Sequence, residues 1–362
     1  LTVFFSYPQK DSSLRENRGK RCAFIPRQWC GNYREEVGMN KKEWEGVRWA
    51  EMVLHQEKNL TMDKPLIITV CPTGALFSRK QNPHLPCSPE EIARDTIESY
   101  HEGATMAHIH TRSEGGYPRT SVETLKEIID MILDECPDMI IQPSSCESYV
   151  PGATDYSYES VVPFVDKLQG KKYMESTIFT PVSYALEEVD GTMDVTMATE
   201  KNTRETVKYL QKNKIKPDFM NHNWEGVHNV KEWLVKTGIL EKPYLMSMGP
   251  GMHNTGETYP DPWGMMYVLG MMKMMPEHSV ISISAGGRNW LALSVFALLL
   301  GVDGVRVGME DHLWVYPHKD EKTKRSADET RKIAVIAKEL GREIATPAEA
   351  RRIMGLAEGM QK

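Results

Sequence analysis

From Pro65 to the C-terminal end, short apolar runs alternate with longer stretches whose apolar residues recur every three or four positions. The short runs read as strands: 66–71 (LIITVC), 105–110 (TMAHIH), 139–144 (MIIQPS), 172–177 (KYMEST), 216–221 (KPDFMN), 243–248 (PYLMSM), 280–285 (VISISA) and 304–309 (GVRVGM). Runs this short and this apolar suit strands covered on both faces. The longer stretches read as helices over 88–103, 121–136, 157–168, 202–214, 227–238, 262–275, 288–301 and 326–341. The first of them opens on Ser88-Pro89-Glu90-Glu91, an N-cap serine, a proline at N1 and a glutamate at N3. Eight strand–helix units in one chain predict an α/β fold, a (β/α)8 TIM barrel. An open doubly wound sheet is the runner-up; its first strand–helix turn would carry GxGxxG, and TVCPTGALFSR does not.

Residues 1–63 break this rhythm and are expected to form an N-terminal extension to a barrel domain over 64–362. Within the extension, 40–59 places Trp44, Val47, Ala50 and Leu54 on one helical face and Trp49, Met52 and Val53 on another. An arm that wraps a neighbouring subunit is the preferred reading, a lid over the barrel mouth the second. The arm reading makes the protein a homo-oligomer, a dimer or tetramer.

A net charge of −6, with no basic stripe interleaved with aromatics, argues against a nucleic-acid partner. No apolar run approaches the roughly 18 residues a membrane span needs, and the first residues lack a signal-peptide pattern. The 6 cysteines show no CxxC spacing, which fits reduced thiols in a cytoplasmic protein.

Chemistry concentrates where a barrel keeps it, at the strand ends. His108 and His110, at i and i+2 on one strand, face the same side. Glu310 and Asp311 follow the last strand, which neighbours the first across the barrel seam. Two imidazoles and a carboxylate with an open position suit a catalytic divalent metal, zinc first. A hydrogen-bonded histidine pair or an anion site are the other readings. Arg306 on the last strand needs a partner, and Asp311 is the obvious one. Ser144 and Ser145 follow the third strand, and the Gly249-Pro250-Gly251 turn follows the sixth. Gly286, Gly287 and Arg288 open a helix after the seventh, a combination suited to phosphate, or to no more than a tight turn.

These stretches — PLIITVCPTGA, HIHTR, QPSS, the GPGM loop, AGGR and VRVGMED — resemble the β-keto acid cleavage enzyme family, in order and with similar gaps over roughly 64–358. The resemblance implies a zinc-dependent acyltransferase that turns a β-keto acid and acetyl-CoA into acetoacetate and a new acyl-CoA. It assigns zinc to His108, His110 and Glu310, proton abstraction to Asp311 with Arg306, and substrate contact to Ser144. Ser145, Thr73, Gly74, Leu76 and Ser176 fall at or near substrate positions. Gly249, Gly251, Gly286, Gly287 and Arg288 are expected to hold the CoA pyrophosphate. Leu76 stands where a family member acting on an amino-keto acid has a glutamate for the substrate amine, so such a substrate is not expected; Glu147 and Glu225 keep a cationic one open. Rival classes are a metal-dependent aldolase or acyl-CoA lyase, an amidohydrolase-like hydrolase, and a metal-sequestering barrel without activity.

Overall fold

The apolar runs form the staves of a closed parallel barrel. Its strands are β1 (Ile67–Val70), β2 (Met106–Ile109), β3 (Ile140–Pro143) and β4 (Ser176–Phe179); after a separate antiparallel hairpin of β5 (Tyr184–Glu187) and β6 (Met193–Thr196) come β7 (Lys216–Asn221), β8 (Tyr244–Met248), β9 (Ser279–Ser284) and β10 (Gly304–Val307). Neighbours run β3-β2-β1-β10-β9-β8-β7-β4, all parallel. The Glu175 amide donates to the Ile141 carbonyl at 3.0 Å and joins the two ends of that order into a ring. The computed structural model describes residues 48–118, 121–144, 158–168, 173–187, 193–196, 198–251 and 262–356.

Helices alternate with the strands as the pattern predicts: α2 (Pro89–His101), α3 (Val122–Glu135), α4 (Tyr158–Leu168), α5 (Glu200–Lys212), α6 (Trp224–Asn229), α7 (Pro262–Met274), α8 (Trp290–Leu299) and α9 (Ser326–Glu339). The capping box of α2 forms as read, with Glu91 N–H on Ser88 Oγ (3.2 Å) and Ser88 N–H on Glu91 Oε2 (3.0 Å). α6 continues as a turn of π-helix over Val230–Val235, so the helix expected at 227–238 starts earlier and changes its winding midway. The fourth strand lies at 176–179 rather than 172–177. Glu175, inside the expected run, is drawn into a two-pronged ion pair with Arg351 (2.6 and 2.7 Å). Its backbone still bonds both neighbours, with its amide on the Ile141 carbonyl and its carbonyl accepting from the Lys216 amide (3.1 Å).

Arg351 belongs to a final helix, α10 (Pro347–Met354), that the apolar periodicity does not reveal. Its ends are marked in the sequence all the same: Thr346 and Glu349 form a capping box and Gly355 closes the helix in the left-handed conformation. α10 plugs the N-terminal end of the barrel, where Ala350 and Met354 pack with Ile67, Met106, Ile140 and Leu245. Above this apolar layer the interior turns polar, with Gln142, Ser176, Asp218, Ser247 and Arg306 all buried. The candidate site sits above that layer.

The chain divides between Lys58 and Asn59 into two units. In the first, α1 (Arg48–Leu54) leaves Trp49, Met52, Val53 and Leu54 exposed. The remainder of the helix expected at 40–59, up to residue 47, and most of the proposed arm lie outside the described residues. No described helix is long and apolar enough to cross a membrane.

One carboxylate ties two helices. Asp95 of α2 accepts from the Ser326 N–H at 2.9 Å, while Arg325, the residue before α9, offers no side-chain cap. Burial pushes the Asp95 carboxyl up to about 6. The folded state then binds this proton more tightly than an unfolded chain with a pKa of about 3.9. The stabilisation is complete below that lower pKa and is lost as pH rises through about 6. Asp95→Asn keeps the acceptor oxygen and never ionises. Its stability relative to the parent is expected to improve by about 1.4 kcal/mol between pH 5 and pH 8. Urea midpoints that differ by the same amount at every pH would contradict this.

Candidate metal centre at the barrel mouth

Alternation along β2 aims His108 and, one residue past the strand, His110 into the barrel. Their Nε2 atoms lie 3.0 Å apart. Glu310 arrives from the turn after β10, with Oε1 3.4 Å from His110 Nε2 and 3.6 Å from His108 Nε2. A tetrahedral zinc ion bound at 2.0–2.1 Å separates its ligand atoms by about 3.3 Å. The three donors thus already outline one face of such a tetrahedron. All three residues are buried. Glu310 Oε2 is buried without a hydrogen-bond partner among the described residues, which leaves one carboxylate oxygen for a cation.

Two glycines create this geometry. Gly308 has φ +137°, and a Cβ there would lie 2.1 Å from the Cys71 carbonyl oxygen. The turn folds against β1, and the Glu310 N–H reaches that same carbonyl at 3.2 Å. Gly74, in the loop after β1, makes room for the ligand itself: a Cβ there would lie 2.2 Å from Glu310 Cγ. Gly74→Ala is expected to displace the carboxylate and weaken zinc binding at least about tenfold, in the range of damage to a ligand's support. Competition against a chelator measures it; unchanged affinity with the fold intact would contradict the packing argument.

The electrostatics follow from burial and from one guanidinium. Arg306 donates to Glu310 Oε1 (2.8 Å) and grips Asp311 with two bonds, Nε to Oδ2 (2.8 Å) and Nη2 to Oδ1 (2.5 Å). The Cys71 thiol donates to Asp311 Oδ2 at 3.3 Å. Burial lowers the His108 imidazole to about 3, so its lone pair is free at neutral pH. Burial alone would raise the Glu310 carboxyl, but Arg306 and the two imidazoles outweigh it and hold Glu310 ionised. Burial pushes the Asp311 carboxyl up; Arg306 pulls against this, and Glu310 adds to the rise. One arginine between two carboxylates leaves this triad one negative charge in excess, which a divalent cation offsets. Two imidazole nitrogens and one carboxylate oxygen suit zinc or a similar borderline ion.

Comparison with known proteins bears on the same residues. The profile of the beta-keto acid cleavage enzyme family matches residues 65–356, a span that includes every group just described. The chain belongs to the β-keto acid cleavage enzyme family. It is 31% identical over 300 residues to the 3-keto-5-aminohexanoate cleavage enzyme of Acetoanaerobium sticklandii, covering 81% of this chain and 99% of that protein. It is 24% identical over 315 residues to the 3,5-dioxohexanoate:acetyl-CoA acetone transferase of Paraburkholderia graminis, covering 81% and 96%. Similarity to the 3-oxoadipate:acetyl-CoA acetyltransferase of Cupriavidus necator is 23% over 295 residues, covering 82% and 96%. Among solved structures, the apo form of ObcA shares the fold, with a TM-score of 0.60 at 21% identity over 76% of this chain and 66% of that one.

Other residues singled out in this β-keto acid cleavage family member fall into three groups. At the mouth, Thr73 Oγ1 accepts from Arg112 Nε at 2.7 Å, and Arg112 also donates to the Gly74 carbonyl. Ser144 follows β3, buried, with its amide on the Ile109 carbonyl (2.9 Å). Leu76 is 37% exposed in the loop after β1. Ser145, Glu147 and residues 252–261 lie outside the described residues.

The second group requires correction. Ser176 opens β4 rather than ending it; its hydroxyl donates to the Lys216 carbonyl (2.8 Å) and lies in the layer below the mouth. Buried Thr180 is the hydroxyl residue that follows this strand. The glycine amides expected at a pyrophosphate are spent on backbone. Gly249 N–H donates to Asn221 O (3.1 Å), Gly286 N–H to Pro250 O (2.8 Å) and Gly287 N–H to Asp311 O (3.0 Å). These loops brace one another and the Asp311 turn instead of opening a nest. Gly251 keeps a positive φ of +77°. Arg288 is partly exposed, stacks over Trp314 (4.5 Å) and pairs with Asp320.

The third group was missed in the sequence. Arg112, inside the HIHTR stretch, is 5% exposed and braces the Thr73–Gly74 loop that receives Glu310. His222 follows β7, buried, in close contact with Gly249, where a Cβ would meet its Nδ1 at 2.9 Å. A histidine directly after an apolar strand was the available signal. Trp224 and Glu225 belong to α6; Trp224 packs on Tyr267 and Gly270 of α7. A cleft of about 740 Å³ opens beside the site, lined by Arg79, Cys87, Ser88 and Arg112 among others. That volume is ample for a small organic acid.

Proposed function

We propose that this chain is a metal-dependent, acetyl-CoA-requiring β-keto acid cleavage enzyme, with zinc held by His108, His110 and Glu310. The observation that carries the reading is the 3.0–3.6 Å triangle of donor atoms set against the Arg306–Asp311 pair. The relatives support it, being named for the cleavage of 3-keto acids or for acetyl-CoA-dependent transfer from them.

A divalent cation at this centre supplies Lewis-acid polarisation of the keto group, making the adjacent CH2 more acidic. Asp311, fixed by Arg306 and the Cys71 thiol, is placed to take that proton. The resulting carbanion attacks the acetyl carbonyl, releasing CoA thiolate. The thiolate attacks the original keto carbon, the bond to the former CH2 breaks, and Asp311 returns its proton to the carbanion that leaves. Acetoacetate departs, and the remainder of the acid leaves as its CoA thioester. Burial of Arg306, Glu310 and Asp311 keeps water from the proton transfer. Ser144 is assigned to the substrate, and Arg288 is the side-chain cation assigned to the CoA phosphates after its loop amides are discounted.

Leu76 points to a substrate whose side chain carries no positive charge. The test offers the zinc-loaded protein acetyl-CoA with neutral, cationic and anionic β-keto acids and reads new acyl-CoA by mass spectrometry. A product from neutral acids in preference to cationic ones is expected. Acetyl-CoA-independent splitting of the acid would favour a lyase and contradict the proposal. A homo-oligomer remains part of the reading, supported by exposed Met266, Leu269 and Leu299 on α7 and α8.

A further inference from the structure

Beneath the candidate metal centre lies a chain of buried polar side chains to which no part of the reaction assigns a role. Gln142 on β3 stands in register with His108 on β2, and alternation turns both into the barrel. The orientation of its amide is determined by its neighbours. The Ser176 hydroxyl spends its hydrogen on the Lys216 carbonyl (2.8 Å), so its oxygen can only accept from Gln142 Nε2 (3.1 Å). Asp218 Oδ2 accepts from the same nitrogen, also at 3.1 Å. Asp218 is held in turn by Ser247 Oγ (2.7 Å on Oδ1), and Ser247 by Ser282 (2.6 Å). Both N–H bonds of the Gln142 amide are therefore committed away from the histidines. Its Oε1 is the atom left on the side of the neighbouring imidazole. His108 Nδ1 is buried and has no hydrogen-bond partner among the described residues, and Gln142 is its register neighbour on the next strand. An amide oxygen can only accept, so the proton belongs on Nδ1 and the lone pair on Nε2, the atom facing His110 and Glu310.

We propose that Gln142, its amide fixed by Ser176 and by the Asp218–Ser247–Ser282 chain, is the positioning residue that holds His108 in the Nδ1–H tautomer and so keeps Nε2 ready as a metal ligand. This rests on the assignment of His108 as a ligand, but one arm of its test does not. Glutamine is acceptor and donor at once, and the chain of acceptors below removes that ambiguity; a flipped amide would place two N–H groups against the imidazole and turn the lone pair the wrong way. Supports of this kind typically change metal affinity 10–100-fold.

The first arm uses the full-length protein without added metal, with its histidines labelled with 15N. Two-bond 1H–15N spectra, with His108 assigned by its loss in His108→Gln, are expected to show Nδ1–H and a bare Nε2. Nε2–H in the parent would overturn the proposal whether or not the protein binds zinc. The second arm measures the zinc dissociation constant by chelator competition. Gln142→Leu, which matches the size but removes the acceptor, is expected to weaken binding about 10–100-fold. Gln142→Glu combined with Asp218→Asn, which restores an acceptor oxygen without setting two carboxylates against each other, is expected to stay within a few-fold of the parent, where a packing role would not distinguish the two replacements in this way. Parental affinity in Gln142→Leu, or equal loss in both variants, would overturn it. Absence of zinc binding in the parent with the Nδ1–H tautomer present would count against the metal reading instead.

Discussion

Replacing His110 by alanine is expected to abolish stoichiometric zinc binding and to lower formation of new acyl-CoA at least about a thousandfold, the several kcal/mol that Lewis-acid stabilisation contributes. The size follows from the site's construction. Its three donors sit within 3.0–3.6 Å of one another, and no other described His, Cys, Asp or Glu joins them. With His110 gone, His108 and Glu310 are two ligands for an ion that asks for three from the protein. Arg306 still grips Glu310 and Asp311, so the barrel is expected to keep its fold and melting temperature. Inductively coupled plasma analysis of the purified variant, beside the activity assay, checks both halves. A variant that keeps one zinc per chain and the parental rate would remove the metal centre from the account.

Asp311→Asn separates metal binding from proton transfer. The asparagine keeps the size and one acceptor oxygen for Arg306, and it touches none of the three ligands. Zinc content is expected to stay at the parental level while kcat falls about 100–10,000-fold, the usual worth of a positioned general base. The readout closest to the chemistry is exchange of the substrate CH2 with deuterated water when acetyl-CoA is withheld. The parent is expected to catalyse it and Asp311→Asn to lose it. Exchange at the parental rate in the variant would move the base elsewhere, with His222 the next residue to examine, since it is buried at the end of stave β7.

The barrel was legible because its strands are buried on both faces, and such strands are written as short, largely apolar runs. The HIH spacing and the RVGMED turn were legible for a related reason: a two-residue period fixes the inward face, and the strand count makes the first and last staves neighbours. What failed was decided by contacts from elsewhere in the chain. Arg351 reaches Glu175, at the base of β4, from a helix 176 residues later, and nothing local to Glu175 announces it. The glycine amides looked free because nothing local to Gly249, Gly286 or Gly287 announces that Asn221, Pro250 and Asp311 carbonyls await them. Two misses were not of this kind. The capping residues Thr346, Pro347, Glu349 and Gly355 spell out α10, and Asp190-Gly191 between two alternating runs is a hairpin signal for β5 and β6. Turn and cap chemistry, rather than apolar periodicity, marks both elements.

The polar layer inside the barrel also separates what a pattern can give from what it cannot. Gln142, Asp218 and Ser247 each occupy inward positions where a barrel usually places Val, Ile or Leu. They lie on three different strands, and only the closed sheet brings them onto one chain of hydrogen bonds beneath His108.

The central claim is that the metal centre and Asp311 together exchange the acyl parts of a β-keto acid and acetyl-CoA. Acetyl-CoA labelled with 13C in both acetyl carbons tests it most directly, with zinc-loaded protein, a β-keto acid that turns over and mass spectrometry of all products. The account predicts that both labelled carbons leave in acetoacetate and that the new acyl-CoA carries none. Label retained in a CoA thioester other than the starting one, or labelled acetate in place of acetoacetate, would contradict it.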